Sequence, residues 1–224
     1  MQIKINLKIF LFLIVFLITK QIKIYAILML FAFIHEMGHI IMGILLGFKP
    51  ESISIIPTGF SVKFKAQYEN YNIKIKKANL LSIKKIAIAS AGPLINAVIV
   101  IITIIYYRTT NNFYIMNMPL DLIIYSNILI FIFNLIPIYP LDGGRILKEI
   151  IHIYSGIYQS YIITNKVSNI VIILLTMISS VIILIYKNIA ILLIIIYLWI
   201  LVMNENKKFN IKMKIWDKYN QINN

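Results

Sequence analysis

Apolar residues run along this chain in long blocks, and polar residues collect between them. Six blocks stand out, at 5–19, 24–48, 86–107, 119–136, 167–186 and 189–203. Most approach the ~20 residues that a helix needs to cross a bilayer's hydrocarbon core, and none has the strict alternation of a half-buried strand. The first block is short for a span, but Lys4 and Lys8 stand about its start and Lys20 follows it. A signal peptide is the competing reading. No small-residue cleavage site stands before the second block, so it is taken as the first membrane helix. The expectation is an all-α polytopic membrane protein of about six transmembrane helices. It forms one intramembrane domain over 1–203, followed by a basic tail at 204–224.

Residues 49–85 are the longest polar connection and carry a different period. Ser52-Ile53-Ser54-Ile55 alternates, Pro57-Thr58-Gly59 supplies turn chemistry, and Phe60 to Lys65 alternates again. That predicts a short membrane-associated β-hairpin between helices 2 and 3. An open strand edge cannot face lipid, so it must meet protein, water or another chain. Lys74, Lys76, Lys77, Lys84 and Lys85 then form a basic, interfacial stretch.

Small residues suggest where helices meet. Gly43 and Gly47 are four apart, which favours close packing by a neighbouring helix. Ala87, Ala89, Ser90, Ala91 and Gly92 crowd one end of the third block, and Pro93 predicts a kink or an irregular turn. Asn96 is polar within a span and needs a partner, either on a neighbouring helix or at a functional site. The fourth block ends in Asn134-Leu135-Ile136-Pro137-Ile138-Tyr139-Pro140-Leu141-Asp142-Gly143-Gly144-Arg145. Two prolines three apart and two adjacent glycines exclude a regular helix interior. Such unwound backbone is tolerated at membrane depth only under cover of protein or a wet cavity.

Composition narrows the class. Of 224 residues, 60% are hydrophobic and only 13% charged, which no soluble domain of this size accommodates. The net charge of +14 would suggest nucleic acid in a soluble protein. Here the lysines lie between and after apolar blocks, so the charge is read as setting topology and meeting anionic lipid, with no nucleic-acid partner. With six spans, 18 of the 22 basic residues fall on one side, which puts both termini in the cytoplasm. Cysteine is absent, so any metal must be held by His, carboxylate and water.

The chemistry concentrates at His35-Glu36-Met37-Gly38-His39, inside the second block. On a helix, His35 and His39 share a face one turn apart and can hold one metal ion. Glu36 stands beside the first ligand as a general base toward water. Ionisable groups at bilayer depth are costly, which makes such a cluster a functional candidate. Catalytic zinc takes three protein ligands and keeps an open position. The third would be Asp142, another carboxylate, or His152. Asp142 has the better case, since it lies in the broken segment near Asn134; it is also a plausible helix N-cap. Asn134 could steady a substrate or a developing oxyanion through its amide.

These motifs together resemble the site-2 protease family of intramembrane zinc metalloproteases. The resemblance rests on His35 to His39, on Ala91-Gly92-Pro93-Leu94-Ile95-Asn96, and on Asn134 through Pro137 to Leu141-Asp142-Gly143, and covers roughly 24–150. It implies one zinc ion on His35, His39 and Asp142, with Glu36 catalytic. Asn134 would handle substrate, with Asn96 also assigned there. The hairpin would receive the substrate as an extended strand, which brings in Phe60 and Val62. The layout looks most like the sporulation branch of endospore formers, whose substrate is a membrane-bound pro-sigma factor. Neither a CBS nor a PDZ domain is expected, and membrane inhibitor proteins are implied only by analogy. A silent membrane-binding protein and a metal or ion transporter using the same ligands are the rival functions. The intact Glu36 favours the protease, because a transit site needs no general base.

Overall fold

In the computed structural model, described residues are 2–5, 8–18, 20, 22–56, 59–64, 74–115, 118–186 and 189–223. The chain divides into two compact units, 1–135 and 136–224. The first contains β1 (Gln2–Ile5), α1 (Lys8–Ile18), α2 (Ile22–Leu45), β2 (Pro50–Ile56), β3 (Gly59–Phe64), α3 (Lys74–Thr110), β4 (Tyr114–Ile115), β5 (Met118–Pro119) and α4 (Leu120–Leu135). The second contains α5 (Asp142–Tyr186) and α6 (Ile189–Asn223). Among the described residues, three helices are long and apolar enough to cross a membrane, at Ile22–Leu45, Asn79–Thr110 and Asp142–Ile185. Leu120–Leu135 is a shorter apolar helix.

Residues 2–5 form a strand parallel to β2, with Ile5 opposite Ile55. The helix that follows has 11 residues, about 16 Å at 1.5 Å per residue, roughly half of a bilayer core. The predicted hairpin forms, with Ile53 opposite Val62 and Ile55 opposite Phe60 in antiparallel register. It becomes the centre and one side of a three-stranded sheet ordered β1-β2-β3. The predicted turn residues Pro57 and Thr58 lie outside the described residues.

Helix α2 ends where its sequence says it should. The Phe48 amide bonds to the Gly43 carbonyl at 2.8 Å and the Gly47 amide to that of Ile44 at 2.9 Å, with Gly47 at φ 86°. This is a left-handed glycine stop, which a residue with a Cβ would strain. Gly43 and Gly47 therefore do not form the expected helix-packing pair. Gly47 closes the helix, and Gly43 makes room for the Phe64 ring of β3. The close approach of α2 to α3 is made instead at Gly38, where a Cβ would lie 2.7 Å from Ile95 and 3.0 Å from the Ala91 carbonyl. Phe31 and Ala32 of α2 pack with Leu120, Ile123 and Ile130 of α4 in a buried apolar cluster. On α3, Leu94, Val98, Ile101, Ile102 and Ile105 are exposed. A stripe of that kind suits lipid and not water.

Three boundaries move. The basic stretch at 74–85 is helical and continuous with the span, so α3 begins 12 residues before the apolar block does. In the second unit, 143–166 and 167–186 were expected to be a connection and a span. Both belong to α5, interrupted at Gly156 (φ 79°, ψ 173°). Likewise α6 runs on through the basic tail to Asn223. The segment between α4 and α5 is irregular, as its prolines and glycines require, and buries Ile138 completely. Gly144 lets that segment fold back, because a Cβ there would collide with the backbone of Ile138 and Tyr139.

Candidate metal centre

Helix α2 carries His35 and His39 one turn apart, with ring centroids 4.8 Å apart and planes at 84°. Both side chains are buried, at 3% and 2% exposure. What fixes them is the partner of each Nδ1. His39 Nδ1 lies 2.7 Å from the carbonyl oxygen of Ile88 on α3. A carbonyl only accepts, so Nδ1 carries the hydrogen and Nε2 presents a lone pair.

His35 reaches the same state by a longer route. Its Nδ1 lies 2.6 Å from Asn96 Oδ1, Asn96 Nδ2 donates to Asn127 Oδ1 at 2.8 Å, and Asn127 Nδ2 donates to the Ile123 carbonyl at 2.8 Å. The terminal carbonyl sets the orientation of Asn127, which sets that of Asn96. His35 Nδ1 must therefore donate, and its Nε2 also presents a lone pair. The two Nε2 atoms are 3.1 Å apart. Two buried lone pairs at that distance repel unless a cation or proton lies with them, so the donor set fits a metal. Gly92 opens the space beside them, because a Cβ there would lie 2.5 Å from His39 Nε2 and 2.6 Å from His35 Nε2.

Asp142 is the first residue of α5 and is 4% exposed. One ligand atom from each of His35, His39 and Asp142 lies within 4.8 Å of the other two. Two imidazoles and one carboxylate, without thiolate, form a donor set used by catalytic zinc, with a fourth position left for water or substrate. Arg145 Nη1 lies 3.6 Å from Asp142 Oδ1, one turn along the same helix. Glu36, adjacent to His35, is half-buried.

The other predicted residues separate. His152 is outside the cluster and lies 3.6 Å from Glu149. Asn96, expected at the substrate, is fully buried and holds His35, as described. Asn134 is half-buried in the last turn of α4, its Nδ2 donating to the Ile130 carbonyl at 3.0 Å. Phe60 and Val62 lie on β3. Sequence reading missed Asn127, although an amide inside an apolar block was a signal as plain as Asn96. It also missed Arg145, and it read Gly92 only as helix packing.

A His-Glu-x-x-His helix whose buried imidazoles are joined by an aspartate, on helices of membrane length, defines a class of membrane metalloprotein. The chain belongs to peptidase family M50, whose family model matches residues 23–118 and 101–178. It is 32% identical over 130 residues to a zinc metalloprotease of Methanocaldococcus jannaschii, covering 57% of this chain and 34% of that protein. It is 26% identical over 138 residues to stage IV sporulation protein FB of Bacillus subtilis, covering 58% of this chain and 41% of that protein. The matched region thus spans well under half the length of these relatives. The structure of a site-2 protease from Methanocaldococcus jannaschii shares the fold, with TM-score 0.65 over 91% of this chain and 89% of that one at 23% identity.

Proposed function

We propose that this chain is an intramembrane zinc metalloendopeptidase that hydrolyses a peptide bond of a membrane-associated protein within or near the bilayer. The observation that carries the reading is the meeting of His35, His39 and Asp142 ligand atoms within 4.8 Å, with Glu36 next in sequence to the first of them. Zinc held there would supply Lewis acidity and would bring the pKa of water down to about 7. The Glu36 carboxylate takes the proton of the attacking water and returns it to the departing amide nitrogen, so the proton balance closes on one side chain. Asn127, Asn96 and the Ile88 carbonyl keep both imidazoles in the tautomer that offers Nε2. Asn134, near the irregular segment, steadies the substrate.

The substrate enters as an extended strand beside β3, in register with Phe60 and Val62, because a helical peptide bond is shielded until it is unwound. In this reading six segments cross or enter the membrane and both termini are cytoplasmic, as the basic residues divide. A pro-sigma factor processed during sporulation is the substrate suggested by the Bacillus relative's name and by the sequence layout. Membrane inhibitor proteins are further candidate partners.

Glu36→Gln tests the reading directly. Cleavage of a co-expressed membrane substrate should fall to background while metal content stays near that of the wild type. Continued cleavage by that variant would reject the enzyme. Metal flux into proteoliposomes that survived the substitution, with no cleavage by the wild type, would favour transport.

A further inference from the structure

The second unit holds a recess between α5 and α6 that plays no part in the chemistry above. Its walls include Tyr139, Lys148, Tyr161, Thr164, Asn206 and Lys212, together with Glu205 and Lys208, which pair with each other. Lys148 Nζ lies 4.0 Å from the Tyr161 ring centroid and 5.0 Å from that of Tyr139. Lys212 Nζ lies 4.4 Å from the same Tyr161 centroid and donates to its hydroxyl at 2.9 Å. Two ammonium groups thus converge on one ring. The rings offset part of that charge. Among the described residues neither ammonium forms an ion pair with a carboxylate, and the Glu205 carboxylate is taken by Lys208.

A second observation is independent of the charges. Thr164 is 3% exposed, and among the described residues its hydroxyl has no hydrogen-bond partner. The Oδ1 of Asn206 is likewise buried and has no partner among those residues. Buried polar groups without partners are few in a native fold, and each calls for an explanation. Here both line the recess where the two lysines converge.

We infer that this recess binds a phosphate-class oxyanion bearing a hydroxylated substituent. Lys148, Lys212 and the Thr164 hydroxyl donate to its oxygens. Tyr161 joins them, because its hydroxyl accepts from Lys212 and keeps its own hydrogen to give. Asn206 Oδ1 accepts from the hydroxyl of the substituent. An anionic lipid headgroup such as phosphoglycerol satisfies the whole set, and free phosphate satisfies the anionic part. Basic pockets between membrane helices select headgroups by this chemistry.

The test uses the full chain purified in phosphatidylcholine nanodiscs. It is titrated separately with phosphatidylglycerol and with inorganic phosphate, and bound ligand is read by native mass spectrometry. The double variant Lys148→Gln/Lys212→Gln should bind roughly thirtyfold more weakly, from about fivefold per lysine. Lys207→Gln, an exposed lysine on α6 outside the recess, should bind as the wild type does. Thr164→Val keeps the side-chain shape and both lysines, and should weaken binding on its own, which covers the case of a double variant that does not fold. Preference for phosphatidylglycerol assigns the headgroup, and equal retention of phosphate assigns the soluble ion. Equal losses in Lys207→Gln and the double variant would reduce the effect to general surface charge and overturn the site. Failure to retain either ligand would overturn it too. The readout is ligand retention, so it stands apart from loss of proteolysis.

Discussion

The two imidazoles of α2 do the same work with unlike supports. His39 is held by a backbone carbonyl of α3, and His35 by a side-chain relay that crosses from α3 to α4 and ends on a backbone carbonyl there. Both supports put the hydrogen on Nδ1 and the lone pair on Nε2. Outer partners of this kind set ligand orientation and basicity. The difference lies in what substitution can reach. No side-chain change removes the Ile88 carbonyl, whereas Asn96 and Asn127 can each be replaced. The pair therefore contains its own control, with His39 as the fixed member and His35 as the adjustable one.

The largest effect should come from disturbing both at once. Gly92→Ala places a Cβ 2.5 Å from His39 Nε2 and 2.6 Å from His35 Nε2. Neither ring can swing away freely, because each is tied at Nδ1. Alanine is the better helix former by about 1 kcal/mol, so intrinsic propensity gives no reason for the helix to melt. Zinc affinity should drop by at least ~100-fold, measured as metal per chain, while the helical circular dichroism is kept. A Gly92→Ala protein that still held one equivalent would show that the Nε2 pair does not face this side.

Removing only the adjustable support should do less. Asn96→Leu keeps the bulk and deletes the acceptor for His35 Nδ1, leaving that N–H and Asn127 Oδ1 buried without partners. Metal affinity should fall between about 10- and 100-fold by chelator competition. Asn96→Asp restores the acceptor and should recover part of the loss. If Asn96→Leu bound metal as tightly as the wild type, the relay would be packing alone.

The same contrast explains what the sequence made legible. His35, Glu36 and His39 stand out because ionisable residues are rare inside an apolar block, and their spacing alone brings two of them onto one helical face. Asp142 was readable because Pro137, Pro140, Gly143 and Gly144 forbid a regular helix beside it. Asn96 and Asn127 were visible as amides in lipid-length runs, but their partners were not, since pairing depends on how α3 packs against α4. The Ile88 carbonyl leaves no trace in the sequence, because every residue has one. The fold divides in the same way. Local patterns gave the hairpin and the long apolar helices. The parallel pairing of Gln2–Ile5 with β2 joins residues some fifty positions apart, which no local pattern announces. Helix α3 also reaches back into the lysine-rich stretch, since lysine is a good helix former and only hydropathy had set the expected boundary there.

The smallest effect is the most informative about the relay. Asn127 is two hydrogen bonds away from His35, so Asn127→Leu leaves the acceptor on Asn96 in place and removes only what orients it. Zinc affinity should weaken by less than about tenfold. Stability to thermal unfolding should fall by about 1–3 kcal/mol, because the Asn96 amide N–H becomes a buried donor without its acceptor. Adding Asn127→Leu to Asn96→Leu should cost no further metal affinity, since the connection to His35 is already cut. The double variant should also regain stability over Asn96→Leu alone, because replacing both partners of a buried hydrogen bond by apolar groups avoids the unpaired atom that a single replacement leaves. Strictly additive losses in the two measurements would mean that Asn96 and Asn127 act separately. His35 would then owe its tautomer to Asn96 alone.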